Sequence, residues 1–66
     1  MAKQLDLNGR RFWIMSEPEG VGWKAVVLEM TAGDAKEDLG IEATAATRTA
    51  ADDAAERKLR RLLQPD

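Results

Sequence analysis

The chain has 66 residues, with ten Lys and Arg against twelve Asp and Glu, and it contains neither Cys nor His. This length leaves room for one domain, residues 1–66, which hides only about 60% of the surface that its unfolded form exposes. Without Cys and His, the chain lacks the side chains of disulfides, of the usual zinc sites and of catalytic triads. A net charge of −2 provides no global attraction to nucleic acids or anionic membranes.

The sequence contains no candidate targeting or membrane segment. The N-terminal sequence MAKQ is not followed by an apolar stretch, and the wholly apolar runs at 12–15 and 25–28 are too short to span a bilayer. We therefore expect a cytoplasmic protein that has no membrane partner.

Asn8-Gly9 predicts the first β-hairpin, because both central residues of a type I′ turn need a positive φ. The flanking segments, 3–7 and 10–16, are typical of strands. A two-residue turn places opposite charges and apolar side chains across from each other. The predicted pairs are Leu7 with Arg10, Asp6 with Arg11, and Leu5 with Phe12.

A second hairpin is expected where Glu-Pro-Glu-Gly at 17–20 ends the strand and 22–30 begins another. The register we assume pairs Met15 with Trp23 and Trp13 with Ala25. Residues 31–40 carry no hydrophobic period and predict a loop. Residues 41–47 alternate weakly, so both a strand and a helix stay open there.

The C-terminal segment predicts a helix over about 50–64. Thr49 and Asp52 have nearly the spacing of a capping box, and Pro65 ends the helix. Its apolar positions recur at helical spacing: Ala51, Ala54, Ala55, Leu59, Leu62 and Leu63. The fold class is therefore α+β, a three- to four-stranded antiparallel meander with one C-terminal helix packed on one face, β-β-β-(β)-α.

One helix covers only one face of a sheet, yet both faces of the second strand are apolar. In the assumed register, the helix covers the face of Phe12, Ile14, Val26 and Leu28. The candidate interface on the other face comprises Trp13, Met15, Trp23, Ala25 and Val27. An uncovered apolar face indicates a contact with a second copy or another protein. The alternative is that both tryptophans complete the core.

The sequence offers little for catalysis or metal binding. The hydroxyl groups have no His to activate them; they belong to Ser16, Thr31, Thr44, Thr47 and Thr49. The acidic residues between the third strand and the helix lack the spacing of a calcium loop; they are Asp34, Glu37, Asp38 and Glu42. We therefore predict no enzyme activity, no metal and no cofactor.

Basic residues leave a second function open. In the last segment, Arg57 and Arg60 follow acidic residues by four positions, which favours a role in helix stability and solubility. Contact with nucleic acid is the alternative. Its candidate residues are Arg10, Arg11, Arg48, Arg57 and Arg61.

The segment TRTAADDAA at 47–55, after three predicted strands, resembles the junction and last helix of double-stranded RNA-binding domains. In that family a Ser/Thr-Lys-Lys-x-Ala-Lys segment opens the helix, and its cations bind phosphates. Thr47, Arg48 and Ala51 fit this pattern, whereas Thr49 and Asp52 stand where the family has lysines. The resemblance implies the β-β-β-α core and a contact between Arg48 and RNA.

Residues 12–63 are also similar to the small three-strand-plus-helix domain of HicB-type antitoxins. The shared features are an acidic, Gly-containing hairpin at 17–20, an aromatic residue at the start of the next strand, Trp23, and the helix opening TAAD at 49–52. This resemblance also implies the β-β-β-α architecture. Taken together, the sequence predicts a small non-enzymatic interaction module that binds a protein or a second copy of itself.

Overall fold

The computed structural model describes residues 2–31 and 35–64 and contains four strands and one helix in this part of the chain. The elements are β1 (Ala2–Leu7), β2 (Arg10–Glu19), β3 (Gly22–Met30), β4 (Lys36–Ala45) and α1 (Arg48–Leu63). The strands form one antiparallel sheet in the order β1-β2-β3-β4, and α1 packs against β2, β3 and β4. The predicted α+β meander is confirmed. No helix in the described ranges has the length and apolar character needed to cross a membrane.

The first hairpin has the predicted turn and register. Asn8 and Gly9 adopt φ values of 53° and 77°, as a type I′ turn requires. Leu7 pairs with Arg10, Asp6 with Arg11, and Leu5 with Phe12. The Arg11 Nε donates to Asp6 Oδ1 over 3.3 Å, so the cross-strand ion pair also forms.

The second hairpin differs from the prediction. β2 does not stop at residue 17 but continues to Glu19, and a two-residue turn, Gly20-Val21, leads into Gly22. Gly20 supplies the positive φ, 58°, that this turn needs. Pro18 is tolerated because β1 begins at Ala2, opposite Met15, so no described residue pairs with Pro18 on that side of β2.

The tight turn changes the register of β3. Met15 pairs with Val26 and Trp13 with Leu28, instead of the predicted Trp23 and Ala25. The shift is three positions, and an odd shift moves every β3 side chain to the opposite face of the sheet. Trp23, Ala25 and Val27 therefore lie on the helix-covered face, and the prediction that they share an open face with Trp13 is wrong.

β4 begins well inside the segment that we predicted to be a loop. Residues 36–38 are paired with β3, and 39–40 continue the strand at the register shift. Residues 32–34 of the predicted loop, including the acidic candidate Asp34, lie outside the described residues. The register shifts between Val26 and Leu28, where Gly40 adopts a φ of 74°. The Gly40 N–H donates to Asp38 Oδ1 over 2.8 Å. A bulge of this kind explains why the segment has no regular alternation.

The helix begins two residues earlier than predicted, and its N-cap is Thr47 instead of Thr49. Thr47 is extended, and its Oγ1 accepts a hydrogen bond from the Ala50 N–H over 3.1 Å. No acidic residue lies in the first turn, so a capping box does not form.

Small residues dominate the core between sheet and helix. The buried side chains are Phe12, Ile14, Ala25, Val27, Ala43, Ala51, Ala55 and Leu59. Four of these eight residues are alanine. Ala51 and Ala55 on α1 and Ala25 and Ala43 on the sheet let the two layers approach closely, but they bury little apolar surface. The core is therefore thin, as expected for a short chain.

Candidate interaction surface

The face of the sheet that points away from α1 is the candidate site, and we call it the open face. Its centre is formed by two strands, β2 and β3. Their outward side chains are apolar in two consecutive rows of cross-strand partners, Trp13 with Leu28 and Met15 with Val26, and Met30 adds an apolar side chain in the next row, opposite Arg11. We call this group the apolar strip; it comprises Trp13, Met15, Val26, Leu28 and Met30. None of these five side chains packs against the buried core. The strip is thus separate from the hydrophobic core of the domain.

The local sequence explains why both faces of the two central strands are apolar. β2 alternates Phe12 and Ile14 toward the helix with Trp13 and Met15 away from it. In β3, Val26 and Leu28 alternate with the buried Ala25 and Val27. A strand that is apolar on both sides is normally covered on both sides.

Trp13 lies half-buried near the middle of the strip. The Lys36 Nζ from β4 lies 5.5 Å from the centroid of its ring, within the range of a cation–π contact. The Trp13 Nε1 is shielded from solvent and has no hydrogen-bond partner among the described residues. Met15, in the next row, is 42% exposed. The strip therefore presents apolar surface to solvent.

Charged and polar residues surround the strip. The cross-strand register places them on the open face at the outer strands and at the strand ends: Gln4, Asp6, Arg11, Glu17, Glu19, Lys24, Lys36, Asp38, Glu42 and Thr44. The Lys24 Nζ lies 3.5 Å from Glu42 Oε2 and 3.8 Å from Glu19 Oε2. The charge of Glu42, followed by its hydrogen bond, raises the pKa of Lys24 above its ordinary value. An apolar centre with a polar rim is the usual anatomy of a protein interface.

The structure divides the five predicted interface residues between the two faces. Trp13 and Met15 lie on the open face, whereas Ala25 and Val27 are fully buried under the helix. Trp23 also lies on the helix side, where it packs against the core, and the Arg48 Cζ lies 5.9 Å from the centroid of its ring. The expectation of two tryptophans on one uncovered face is therefore corrected to one.

Sequence reasoning missed three members of the strip, namely Val26, Leu28 and Met30. Two of them were assigned to the covered face because the turn was placed wrongly. The small side chain of Ala25 was a signal for the correct face, because small residues on the sheet allow close packing against Ala51 and Ala55 of the helix. The Lys36 contact was also missed, because residues 31–40 were predicted to be a loop.

The five arginines predicted to contact nucleic acid are scattered over the molecule. Arg10 donates through Nε and Nη2 to the two carboxylate oxygens of Glu29, over 2.8 and 2.6 Å, and this hydrogen bonding lowers the pKa of Glu29. Arg11 pairs with Asp6. The remaining three candidates, Arg48, Arg57 and Arg61, lie on α1.

The helix arginines do not share one side of α1. Arg57 lies nine positions after Arg48, which corresponds to a rotation of about 180° around the helix. All three arginines are exposed, and the Arg48 guanidinium lies over the Trp23 ring. Arg48 thus lies on a different side of α1 from Arg57 and Arg61.

Within the described residues, no group of three or more acidic side chains is arranged to hold a metal ion. Glu37 and Asp38 are successive residues of β4, so their side chains point to opposite faces of the sheet.

Comparison of the chain with protein-family models, curated proteins and solved structures finds no match to any of them. The two family resemblances rest on the sequence pattern alone.

Proposed function

We propose that this protein is a small non-enzymatic interaction module that binds a protein through the open face of its sheet. The observation that carries the proposal is the apolar strip: five apolar side chains gathered on the two central strands, on the side away from the helix. Burying apolar surface is the main favourable contribution to most protein associations. The proposed site of action is the cytoplasm, and fractionation of the tagged chain from its host tests that part.

The thin core supports the same proposal. Half of the buried residues are alanine, and no disulfide is available to stabilise so short a chain. Covering the open face would remove Trp13, Met15 and Leu28 from water and add to the stability of the fold. A bound partner stabilises the folded chain because it binds the folded state and not the unfolded one.

Site-specific photo-crosslinking in the native host tests the proposed surface. A benzophenone amino acid replaces Met15 on the open face or, as the matched control, Leu62, which is 63% exposed on the helix. We expect a discrete adduct from position 15 and none from position 62. Adding Val26→Lys should remove the adduct while circular dichroism shows that the fold is retained. Absence of an adduct at 15, or equal adducts at both positions, would overturn the proposal.

The alternative function, binding of double-stranded nucleic acid through Arg48 and the helix, makes a different prediction. Binding through phosphates weakens steeply as salt rises, because condensed counterions are released. Low salt is therefore the condition most favourable to such binding. If the open face is the functional surface, a titration with duplex RNA and duplex DNA at low salt should still give no saturable binding. Saturable, salt-sensitive binding that Arg48→Ala reduces would favour the alternative.

A further inference from the structure

We propose that the partner of the open face is a second copy of this chain, related by a two-fold axis that runs parallel to the strands between β2 and β3. This inference rests on the proposed function, since it names the partner of that surface. The axis follows from the position of the apolar strip. β2 contributes Trp13 and Met15, and β3 contributes Val26, Leu28 and Met30. A two-fold axis between these strands places the strip of one copy directly over the strip of the other.

Apolar side chains of the strip meet apolar side chains in this arrangement. The axis places β2 of one copy over β3 of the other, in the same row along the strands. Trp13 then faces Leu28 of the second copy, and Met15 faces Val26. Two sheets that pack face to face keep their strands within about 30° of each other, so the central rows remain stacked.

The charges of the rim provide the strongest argument. The same axis places β1 over β4, so Asp6 faces Lys36 of the second copy; Glu17, on β2, faces Lys24 on β3. Gln4 faces Asp38, which gives an amide donor to a carboxylate. Each of these contacts occurs twice. Among the described residues of the open face, no two like charges are directly opposed, so the surface is electrostatically complementary to itself.

An axis perpendicular to the strands is less favourable. It would leave each strand over its own copy and reverse the order of the rows. If this axis lies between the rows of Trp13 and Met15, Asp38 faces Glu42 of the second copy, and this contact occurs twice. It offsets the favourable contact that the same axis gives between Arg11 and Glu17. Like charges opposed across an interface disfavour association. The charge pattern therefore selects the axis parallel to the strands.

The size of the open face is sufficient for a dimer. Four strands, spaced about 4.8 Å apart and rising about 3.3 Å per residue, give a face of roughly 600 Å² on each copy. The total, about 1,200 Å², lies at the lower end of the range of specific, stable interfaces. The resulting particle would have four layers: helix, sheet, sheet and helix.

Charge reversal tests this geometry through sedimentation velocity over a concentration series of the full chain. Glu17→Lys places two lysines opposite each other at each contact, and Lys24→Glu places two glutamates there. Each variant alone should dimerise about tenfold or more weakly than the original chain. An equimolar mixture of the two variants should form a heterodimer, because each lysine then faces a glutamate. The double variant should regain most of the original affinity.

The matched control reverses Asp53 and Arg57 on the exposed side of α1, where dimerisation should not respond. Lys24 contacts Glu19 and Glu42 within its own chain, so circular dichroism must show that Lys24→Glu folds. If it does not, Asp6→Lys and Lys36→Glu provide the equivalent pair at the outer strands.

Three results would overturn the inference. The first is a monomer at all concentrations. The second is a dimer whose affinity is unchanged by every charge reversal on the open face, and the third is a pair of variants that do not dimerise when mixed. Crosslinking at position 15 separates these failures from failure of the proposed function. An adduct with a different protein overturns the second copy as partner but retains the interaction surface, whereas no adduct removes both.

Discussion

Gly22 lies so close to the backbone carbonyl of Ala45 that a side chain at position 22 would collide with it. A Cβ placed on Gly22 would be 2.5 Å from the carbonyl oxygen of Ala45, which is backbone and cannot rotate away. The approach occurs where β3 begins and β4 ends, beside the turn that determines the register of the second hairpin. Gly22 is thus a steric requirement of the sheet.

Gly22→Ala should therefore destabilise the protein by about 1–3 kcal/mol, the usual cost of overpacking. This loss opposes the gain of about 0.4–1 kcal/mol that alanine gives by restricting the unfolded chain. Urea denaturation measures the difference. Val21→Ala, at a fully exposed position in the adjacent turn, is the control and should be nearly neutral. A more stable Gly22→Ala variant would contradict the close contact.

Leu59 and Leu62 have the same side chain but different environments, although the sequence placed both in one apolar stripe. Leu59 is fully buried against the sheet, whereas Leu62 is 63% exposed. Leu59→Ala should reduce the free energy of unfolding by about 2–5 kcal/mol because it leaves a cavity in a thin core. Leu62→Ala should change it by less than about 0.5 kcal/mol. Thermal and urea unfolding check both, and equal losses would show that the helix is rotated.

The first hairpin could be predicted because its signals are local. Asn8-Gly9 determines the turn type, and the turn determines which residues pair, so Asp6 and Arg11 could be matched from sequence alone. The same holds for the helix, whose period of apolar residues is long enough to identify it. The order of the elements then follows from short connections.

The second hairpin could not be predicted because two signals indicate different ends for β2: Pro18 favours an early end, whereas the actual turn is at Gly20-Val21. Pro18 is read as the end of a strand, yet it lies in a part of β2 that has no β1 neighbour and loses no ladder bond there. Trp23 was consequently placed opposite Met15, and the composition of the open face was partly wrong. The first half of β4 was predicted to be a loop for a related reason. Charged residues and a glycine at a bulge are common on edge strands, and this composition is also typical of loops.

Thr47→Ala should destabilise the protein by about 1 kcal/mol, since it removes the acceptor of the Ala50 N–H at the start of α1. Thr49→Ala is the matched control, because Thr49 lies inside the first turn of the helix. That change should be neutral or slightly stabilising, since alanine has the higher helix propensity. Circular dichroism during thermal unfolding compares the two. A larger loss for Thr49→Ala would restore the cap predicted from the sequence.

Glu56 links the helix to the edge strand β1 and predicts how stability depends on pH. Its carboxylate accepts from the Lys3 Nζ over 3.0 Å and from the Arg60 Nε over 2.9 Å. These hydrogen bonds, that from Lys3 first, hold the pKa of Glu56 below its ordinary value of 4.5. Because the pKa is lower in the folded state, the carboxylate stabilises the fold above pH 4.5, and this stabilisation is lost as the pH falls through the folded-state pKa.

Glu56→Gln should therefore cost about 0.5–1 kcal/mol at pH 7, the range of a partly exposed ion pair. The difference from the original chain should shrink below about pH 4.5 and vanish once the carboxyl group is protonated in both states. Urea denaturation between pH 7 and pH 3 measures both curves. Lys3→Met should reproduce part of the loss at pH 7, since Arg60 still contacts Glu56. Curves that stay parallel across this range would show that Glu56 does not stabilise the contact between α1 and β1.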